Sequence, residues 1–130
     1  MQVSHAEGEY RGRRYELLFH GEGWRALAHG GAPRSDFPDA IAFGSNSRGD
    51  WVKVPTGSVT WWRVGVSAMW KGERVAIVGR ERDGVVGVTF SGDPRRAAEL
   101  GIPGDQHQGW LGTARVDELS DVQVTEEKVG

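Results

Sequence analysis

Histidines and carboxylates are the side chains of this chain that could serve acid–base or nucleophilic catalysis. The 130 residues include four His and 18 Asp and Glu but no Cys, so thiol chemistry and disulfides are excluded. An imidazole needs a carboxylate or a nucleophile within hydrogen-bond reach, and Asp105-Gln106-His107 comes nearest to that spacing. A polar loop before Trp110 is the simpler interpretation. We therefore predict no catalytic residue, and keep a small enzyme or ligand-binding barrel that uses Asp105 and His107 as an alternative.

Metal and phosphate chemistry lack their usual sequence patterns. There is no His-Glu-x-x-His pair and no dense cluster of His with carboxylates. Gly21-Glu22-Gly23-Trp24 has two of the three glycines of a dinucleotide-binding loop, but no helix is predicted after it. We predict no metal site and no cofactor.

A basic cluster flanked by aromatic rings lies near the N-terminus. Arg11, Arg13 and Arg14 stand between Tyr10 and Tyr15, and such a cluster can contact phosphates and stack on bases. The whole chain has a formal net charge of −2, whereas nucleic-acid-binding domains are usually strongly basic. A solvated strand edge is therefore the favoured interpretation, and nucleic-acid binding through Tyr10, Arg11, Arg13 and Arg14 is the alternative.

Tryptophans and one long connection are the candidates for a protein-binding surface. Neighbouring residues of a strand point to opposite faces, so either Trp61 or Trp62 can fill an interface between the halves of the chain or stand exposed as an anchor. Trp is enriched at the energetic centres of protein interfaces, and connections as long as that from Gly30 to Asp50 are often functional. The predicted partner-binding residues are Trp24, Asp36, Asp39, Arg48, Asp50, Trp61 and Trp62.

Short strands must position these residues. Gly accounts for 20 residues, about twice the average usage, and six Trp are spread among them. Short apolar runs, rich in Val and aromatic residues, recur between Gly, Pro, Asp and Asn. One short helical turn is predicted near 94–100, with Asp93 as its N-cap and Pro94 at its first position. The pattern indicates an all-β protein.

An internal repeat with a period of about 60 residues divides the chain. Tyr10-Arg11-Gly12 aligns with Trp70-Lys71-Gly72. Further along, Gly31-Ala32-Pro33-Arg34 aligns with Gly92-Asp93-Pro94-Arg95. The ordered succession of matches indicates a duplication.

The repeat predicts two domains and a pair of equivalent core positions. Trp51 and Trp110 each follow a polar turn that contains Gly, so both are predicted to lie in a core. We expect domains at residues 1–66 and 67–130, each with five strands. They are expected to pack together, because about 60 residues bury little apolar surface alone.

The order of these features resembles the SH3-like barrel superfamily. An aromatic-basic-Gly start, a hairpin, a long loop and a Trp before a closing strand carry the resemblance. They stand in residues 10–15 and 49–55 of the first half, and in residues 70–75 and 109–111 of the second. The resemblance implies two tandem five-stranded SH3-like β-barrels. Arg far outnumbers Lys, a usage typical of bacteria with GC-rich genomes.

The chain is similar in type to small bacterial β-proteins that act by occluding a partner, such as toxin-immunity proteins. This implies a non-catalytic protein-binding module, and we expect an inhibitor or immunity-type protein that blocks a toxin or an enzyme. No run approaches the roughly 20 apolar residues that cross a bilayer, and the first residues lack the features of a secretory signal. We expect a cytoplasmic location and no membrane partner.

Overall fold

The computed structural model describes residues 1–129, in which it shows eleven β-strands, one α-helix and three short 3-10 turns. The strands are β1 (His5–Tyr10), β2 (Arg13–Gly21), β3 (Trp24–Ala28), β4 (Ala42–Asn46), β5 (Gly49–Pro55), β6 (Val59–Trp70), β7 (Glu73–Arg82), β8 (Val85–Phe90), β9 (Gly104–Asp105), β10 (Gly109–Arg115) and β11 (Ser120–Lys128). The helix α1 spans Pro94–Leu100, and the 3-10 turns are Arg34–Asp36, Thr56–Ser58 and Val116–Glu118. The predicted all-β class is confirmed. Within the described range, no helix has the length and apolar character needed to cross a membrane.

The described chain divides into two compact units. The first unit consists of His5–Val64 together with residues 126–129, and the second consists of Met1–Ser4 together with Gly65–Thr125. Strand β6 continues without a break from the first unit into the second.

In the first unit the strands follow the order β4-β5-β3-β2-β1-β6, and each is antiparallel to its neighbour. The connection from Gly30 to Asp50, predicted as a loop, contains β4 and the start of β5. The side-chain Oδ1 of Asn46 accepts the backbone N–H of Arg48 at 2.8 Å, and Gly49 adopts φ +108°, so the chain reverses tightly here. The hairpin places β4 at one end of the strand order of this unit and β6 lies at the other, and no pairing between these two strands closes the sheet in the described residues.

The core of the first unit is filled partly by the connection itself. Its buried cluster comprises Tyr10, Leu17, Leu27, Phe37, Val52 and Val54. Phe37 follows the first 3-10 turn and is 2% exposed. Its ring stacks on that of Tyr10, with centroids 5.5 Å apart, and lies 5.3 Å from that of Tyr15. The segment is therefore anchored by an aromatic side chain in the core.

In the second unit α1 takes the corresponding place in the chain. Asp93 caps the helix, its Oδ1 accepting the backbone N–H of Arg95 at 2.8 Å. Gly101 ends it in the left-handed conformation at φ +73°, so the predicted helical turn is present. Ala97 and Leu100 are its buried residues. The other strands of this unit, in the order β6-β7-β8-β10-β9 with β11 on β6, supply Val and aromatic residues to its core.

The two halves share local geometry but differ at Trp51. The turns Arg11-Gly12 and Lys71-Gly72 have the same φ pair, about +50° and +82°. Trp110 is buried at 8% exposure. Trp51 is only half-buried and is not a core residue of the first unit. Its neighbour Val52 fills the core position, and alternation along β5 sends Trp51 to the opposite face.

Candidate functional site

Three strands of the first unit carry an aromatic surface on the face opposite their core. The register pairs Ala26 with Lys53 and Ala28 with Trp51 between β3 and β5. It also pairs Gly44 of β4 with Trp51. Since Val52 belongs to the core cluster, alternation places Trp51 and Lys53 on the other face. With Trp24 of β3 and Phe19 of β2, they form what we call the aromatic patch: Phe19, Trp24, Trp51 and Lys53.

The rings of the aromatic patch contact one another in defined geometry. The ring centroid of Phe19 lies 5.7 Å from that of Trp24 and 5.6 Å from that of Trp51, with interplanar angles of 86° and 77°. Such edge-to-face pairs contribute about 0.5–1.5 kcal/mol beyond area burial. The two indoles lie flat against glycines: a Cβ on Gly21 or Gly44 would overlap the ring of Trp24 or Trp51, respectively. The four side chains are all half-buried.

Lys53 supplies the charge of the aromatic patch. Its Nζ lies 4.2 Å from the ring centroid of Trp24 and 5.2 Å from that of Trp51. A cation over an indole face gains about 0.5–1 kcal/mol at exposed sites and about 2 when desolvated. No carboxylate in residues 1–129 forms an ion pair with Lys53. The arrangement therefore presents a positive charge, held by two rings, to any molecule that covers this face.

Trp61 and Trp62 point to opposite faces of β6, as alternation requires. Trp61 packs against the core cluster, 6.1 Å from the ring of His20. Its Nε1 is buried without a hydrogen-bond partner in the structure. Trp62 lies under the guanidinium of Arg14 at 4.3 Å, and its Nε1 donates to Glu9 at 3.2 Å. Both are half-buried, and neither belongs to the aromatic patch.

The charged residues predicted as partner-binding are distributed over separate places. The Nη1 of Arg48 donates to the carbonyl of Leu18 at 2.7 Å. Asp36 lies 3.9 Å from Arg13. The Oδ2 of Asp39 accepts the hydroxyl of Tyr10 at 3.3 Å, which holds that part of the connection over the core. Asp50 lines a cleft with His29 and Arg34. Of the predicted set, only Trp24 belongs to the aromatic patch.

The structure brings part of the arginine cluster to one cleft of about 240 Å³, which Tyr10, Arg11 and Arg13 line together with Asp36, but most of these groups have partners within the unit. Tyr10 is 1% exposed, so its ring is not accessible for stacking on a base. Arg14 is 3.3 Å from Glu7 and 3.2 Å from Glu126, and Arg13 faces Asp36. Arg11 is exposed in a tight turn at φ +50°. Three of the four residues therefore already have partners within the unit.

Asp105 and His107 stand together in the second unit, but the carboxylate serves the backbone. Oδ1 of Asp105 accepts the backbone N–H groups of His107 and Gln108, at 2.8 and 2.7 Å. The loop borders a cleft of about 490 Å³ whose walls include Ile102 and Trp110. The arrangement fixes a turn over apolar side chains and does not set up a hydrogen bond between the carboxylate and the imidazole.

The sequence did not single out Phe19 or Lys53, and it placed Trp51 in the core. The alternation Trp51-Val52-Lys53-Val54 was a signal for a shared face of Trp51 and Lys53. Assigning that face to the side away from the core required the pairing of β3 with β5.

In residues 1–129 no group of three or more His, Asp or Glu is placed to hold a metal ion. Comparisons of the chain with protein-family models, with curated proteins and with solved structures found no match.

Proposed function

We propose that this chain is a non-catalytic module that binds another protein through the aromatic patch and acts as an inhibitor or immunity-type protein that occludes a toxin or an enzyme. The single observation that carries the proposal is the patch: three aromatic rings around one lysine on a sheet face. Faces of antiparallel sheets that turn away from a core normally carry polar side chains. Here the residues that pair with Trp51 and Lys53 on the neighbouring strands are Ala26, Ala28, Ala42 and Gly44.

The chemistry of the patch defines the partner. Trp side chains dominate the energetics of many interfaces, and Lys53 is the one charged residue among the paired positions of this face. A complementary partner presents a carboxylate to Lys53 between apolar side chains that cover Trp24 and Trp51. Such a charge pair, enclosed by rings, is desolvated on binding and fixes the orientation of the partner.

The proposal includes the tandem SH3-like architecture that the sequence suggested. Two features support this architecture. The turns Arg11-Gly12 and Lys71-Gly72 have identical φ pairs. A 3-10 turn precedes the last strand of each half, at Thr56–Ser58 and at Val116–Glu118. An experimental structure in which the two halves, superposed on these turns, do not share the path of their strands would contradict this part.

The test begins with capture of the partner and continues with variants. A protein recovered with the immobilised chain, from a lysate or from the products of neighbouring genes, is purified, and its affinity and its enzymatic or toxic activity are measured. Trp24→Ser and Lys53→Glu each lower the affinity by roughly thirtyfold or more, as expected for central interface residues. Leu111→Ser is the matched control, because Leu111 is 59% exposed and lies in the second unit.

Equilibrium unfolding of each variant separates lost binding from lost folding. The proposal is supported when folded Lys53→Glu loses both binding and inhibition while Leu111→Ser retains them. It is overturned when no protein binds, or when a bound protein is indifferent to both patch variants. Inhibition is rejected separately when the partner stays fully active in a stoichiometric complex.

A further inference from the structure

A second candidate site lies in the first unit, on the side of β4 and β5 that is opposite to the aromatic patch. Ser45 pairs with Asp50 between β4 and β5, and the backbone N–H of His29 donates to the carbonyl of Asp50 at 3.4 Å. The three residues therefore form a row across β4, β5 and the end of β3. With Arg34, Phe43 and Gly44 they line a cleft of about 340 Å³, which we call the Arg34–Asp50 cleft.

The ring of Phe43 forms part of the wall of the Arg34–Asp50 cleft and lies beside both Arg34 and His29. The guanidinium of Arg34 lies 4.7 Å from the ring centroid of Phe43. The imidazole of His29 lies 6.0 Å from the rings of both Phe37 and Phe43. Its Nδ1 has no hydrogen-bond partner within the described chain. Stacking on Phe43 leaves the N–H groups at the edge of the guanidinium free to donate.

Both charges of this cleft belong to exposed side chains that have no ion pair within the described residues. Among the carboxylates of residues 5–64 and 126–129, all except Glu22 and Asp50 have an ion pair or a side-chain hydrogen bond. Arg34 likewise has neither in the described residues. Arg34 and Asp50 face the same cleft yet do not pair with each other. Two opposite charges kept apart across a cleft complement a ligand that carries both.

We propose that the Arg34–Asp50 cleft binds a small zwitterion of the α-amino acid class. The fork of Arg34 receives the carboxylate through two N–H donors, the geometry in which Arg binds carboxylates best. Asp50 receives the ammonium group, and Ser45 beside it offers a hydroxyl. Phe43 contacts the apolar part of the ligand. This site is independent of the proposed protein binding, because alternation along β5 places Asp50 and Trp51 on opposite faces.

The experiment separates the two charges of the ligand. Binding of L-leucine to the full chain is measured by two-dimensional NMR, together with N-acetyl-L-leucine, which keeps only the carboxylate, and L-leucinamide, which keeps only the ammonium. L-leucine shifts the amide signals of His29, Ser45 and Asp50 saturably, with a Kd of order 1 mM. Each analogue binds roughly tenfold more weakly, since one charge-assisted contact is lost.

Variants assign each charge to its residue. Arg34→Gln weakens L-leucine roughly tenfold and leaves the weak binding of L-leucinamide unchanged. Asp50→Asn has the reverse pattern, weakening L-leucine but not N-acetyl-L-leucine. The matched controls are Arg63→Gln and Glu22→Gln, exposed residues of the same unit outside the cleft, and both bind L-leucine like the original chain.

Three results overturn the proposal. One is the absence of saturable shifts with L-leucine, L-phenylalanine and L-glutamate up to about 20 mM, well above the expected Kd. Another is N-acetyl-L-leucine binding as tightly as L-leucine, which identifies a simple anion site. The third is an unchanged affinity in a folded Arg34→Gln or Asp50→Asn variant. None of these outcomes bears on partner binding by Trp24 and Lys53, so the two proposals fail separately.

Discussion

Replacement of Gly44 by Ala tests whether the aromatic patch is built on close contact between backbone and ring. A Cβ at Gly44 would lie only 2.6 Å from Cε2 and from Cη2 of Trp51, where no stable contact is possible. The backbone of Gly44 is not in a left-handed conformation, so the conflict is steric alone. The indole must therefore leave its position, and overpacking of this kind costs about 1–3 kcal/mol.

The displacement also removes contacts that Trp51 makes with other members of the patch. Its ring lies 5.6 Å from that of Phe19 and 5.2 Å from Nζ of Lys53. We expect Gly44→Ala to lower the free energy of unfolding by about 1–3 kcal/mol. The measurement is a urea titration monitored by circular dichroism. We also expect the Trp fluorescence of the folded variant to shift, because an indole moves into water.

Gly57→Ala is the control for this experiment. A Cβ at Gly57 meets no atom within 4 Å, and its φ is not positive. This change is expected to be neutral, or to stabilise by about 0.4–1 kcal/mol through the unfolded chain. If Gly44→Ala proves as stable as Gly57→Ala and keeps the original fluorescence, the account of the patch is refuted.

Three further expectations concern the core, the helix and one carboxyl group. Phe37→Ala should cost about 3–5 kcal/mol in urea unfolding, because it empties an aromatic core position; a loss below about 1 kcal/mol would show that the connection is not anchored there. Asp93→Ala should lower the free energy of unfolding by about 1 kcal/mol, because the helix loses its cap. Asp93→Asn should keep most of the stability that the cap contributes, because Asn also caps helices well. The hydrogen bond from Arg115 holds the pKa of Asp117 below its usual value. Its contribution to stability is therefore present above the ordinary pKa of a carboxyl and is lost as the pH falls through the lowered one. An NMR titration should find that pKa raised by Arg115→Gln, and an unchanged value would contradict the assignment.

Local signals in the sequence were sufficient where one segment determines its own structure. The helix near 94–100 required only Asp93 and Pro94, and both act as predicted. The turns at Arg11-Gly12 and Lys71-Gly72 are local in the same sense. Alternation alone placed Trp61 and Trp62 on opposite faces.

Features that depend on pairing between distant segments could not be read from the sequence. Phe37 lies between Asp36 and Pro38 and outside any periodic apolar run, so no periodicity marks it as core. The aromatic patch requires Ala28 to pair with Trp51, more than 20 residues apart. A shift of one residue in that register would exchange the two faces. The Arg34–Asp50 cleft has the same origin, because the pairing of β4 with β5 places Ser45 beside Asp50 and the first 3-10 turn supplies Arg34 to the same cleft.

Each unit includes a short segment that is separated in sequence from the rest of that unit: residues 126–129 in the first unit and Met1–Ser4 in the second. Val129 donates its backbone N–H to the carbonyl of Trp61 at 2.8 Å in the first unit. In the second unit, Ser4 donates its backbone N–H to Ile77 at 2.8 Å. The hydrogen bond of Val129 in the first unit therefore forms only after all residues of the second unit have been synthesised. Chains usually fold domain by domain from the N-terminus; here the first unit reaches its final hydrogen bonding no earlier than the second.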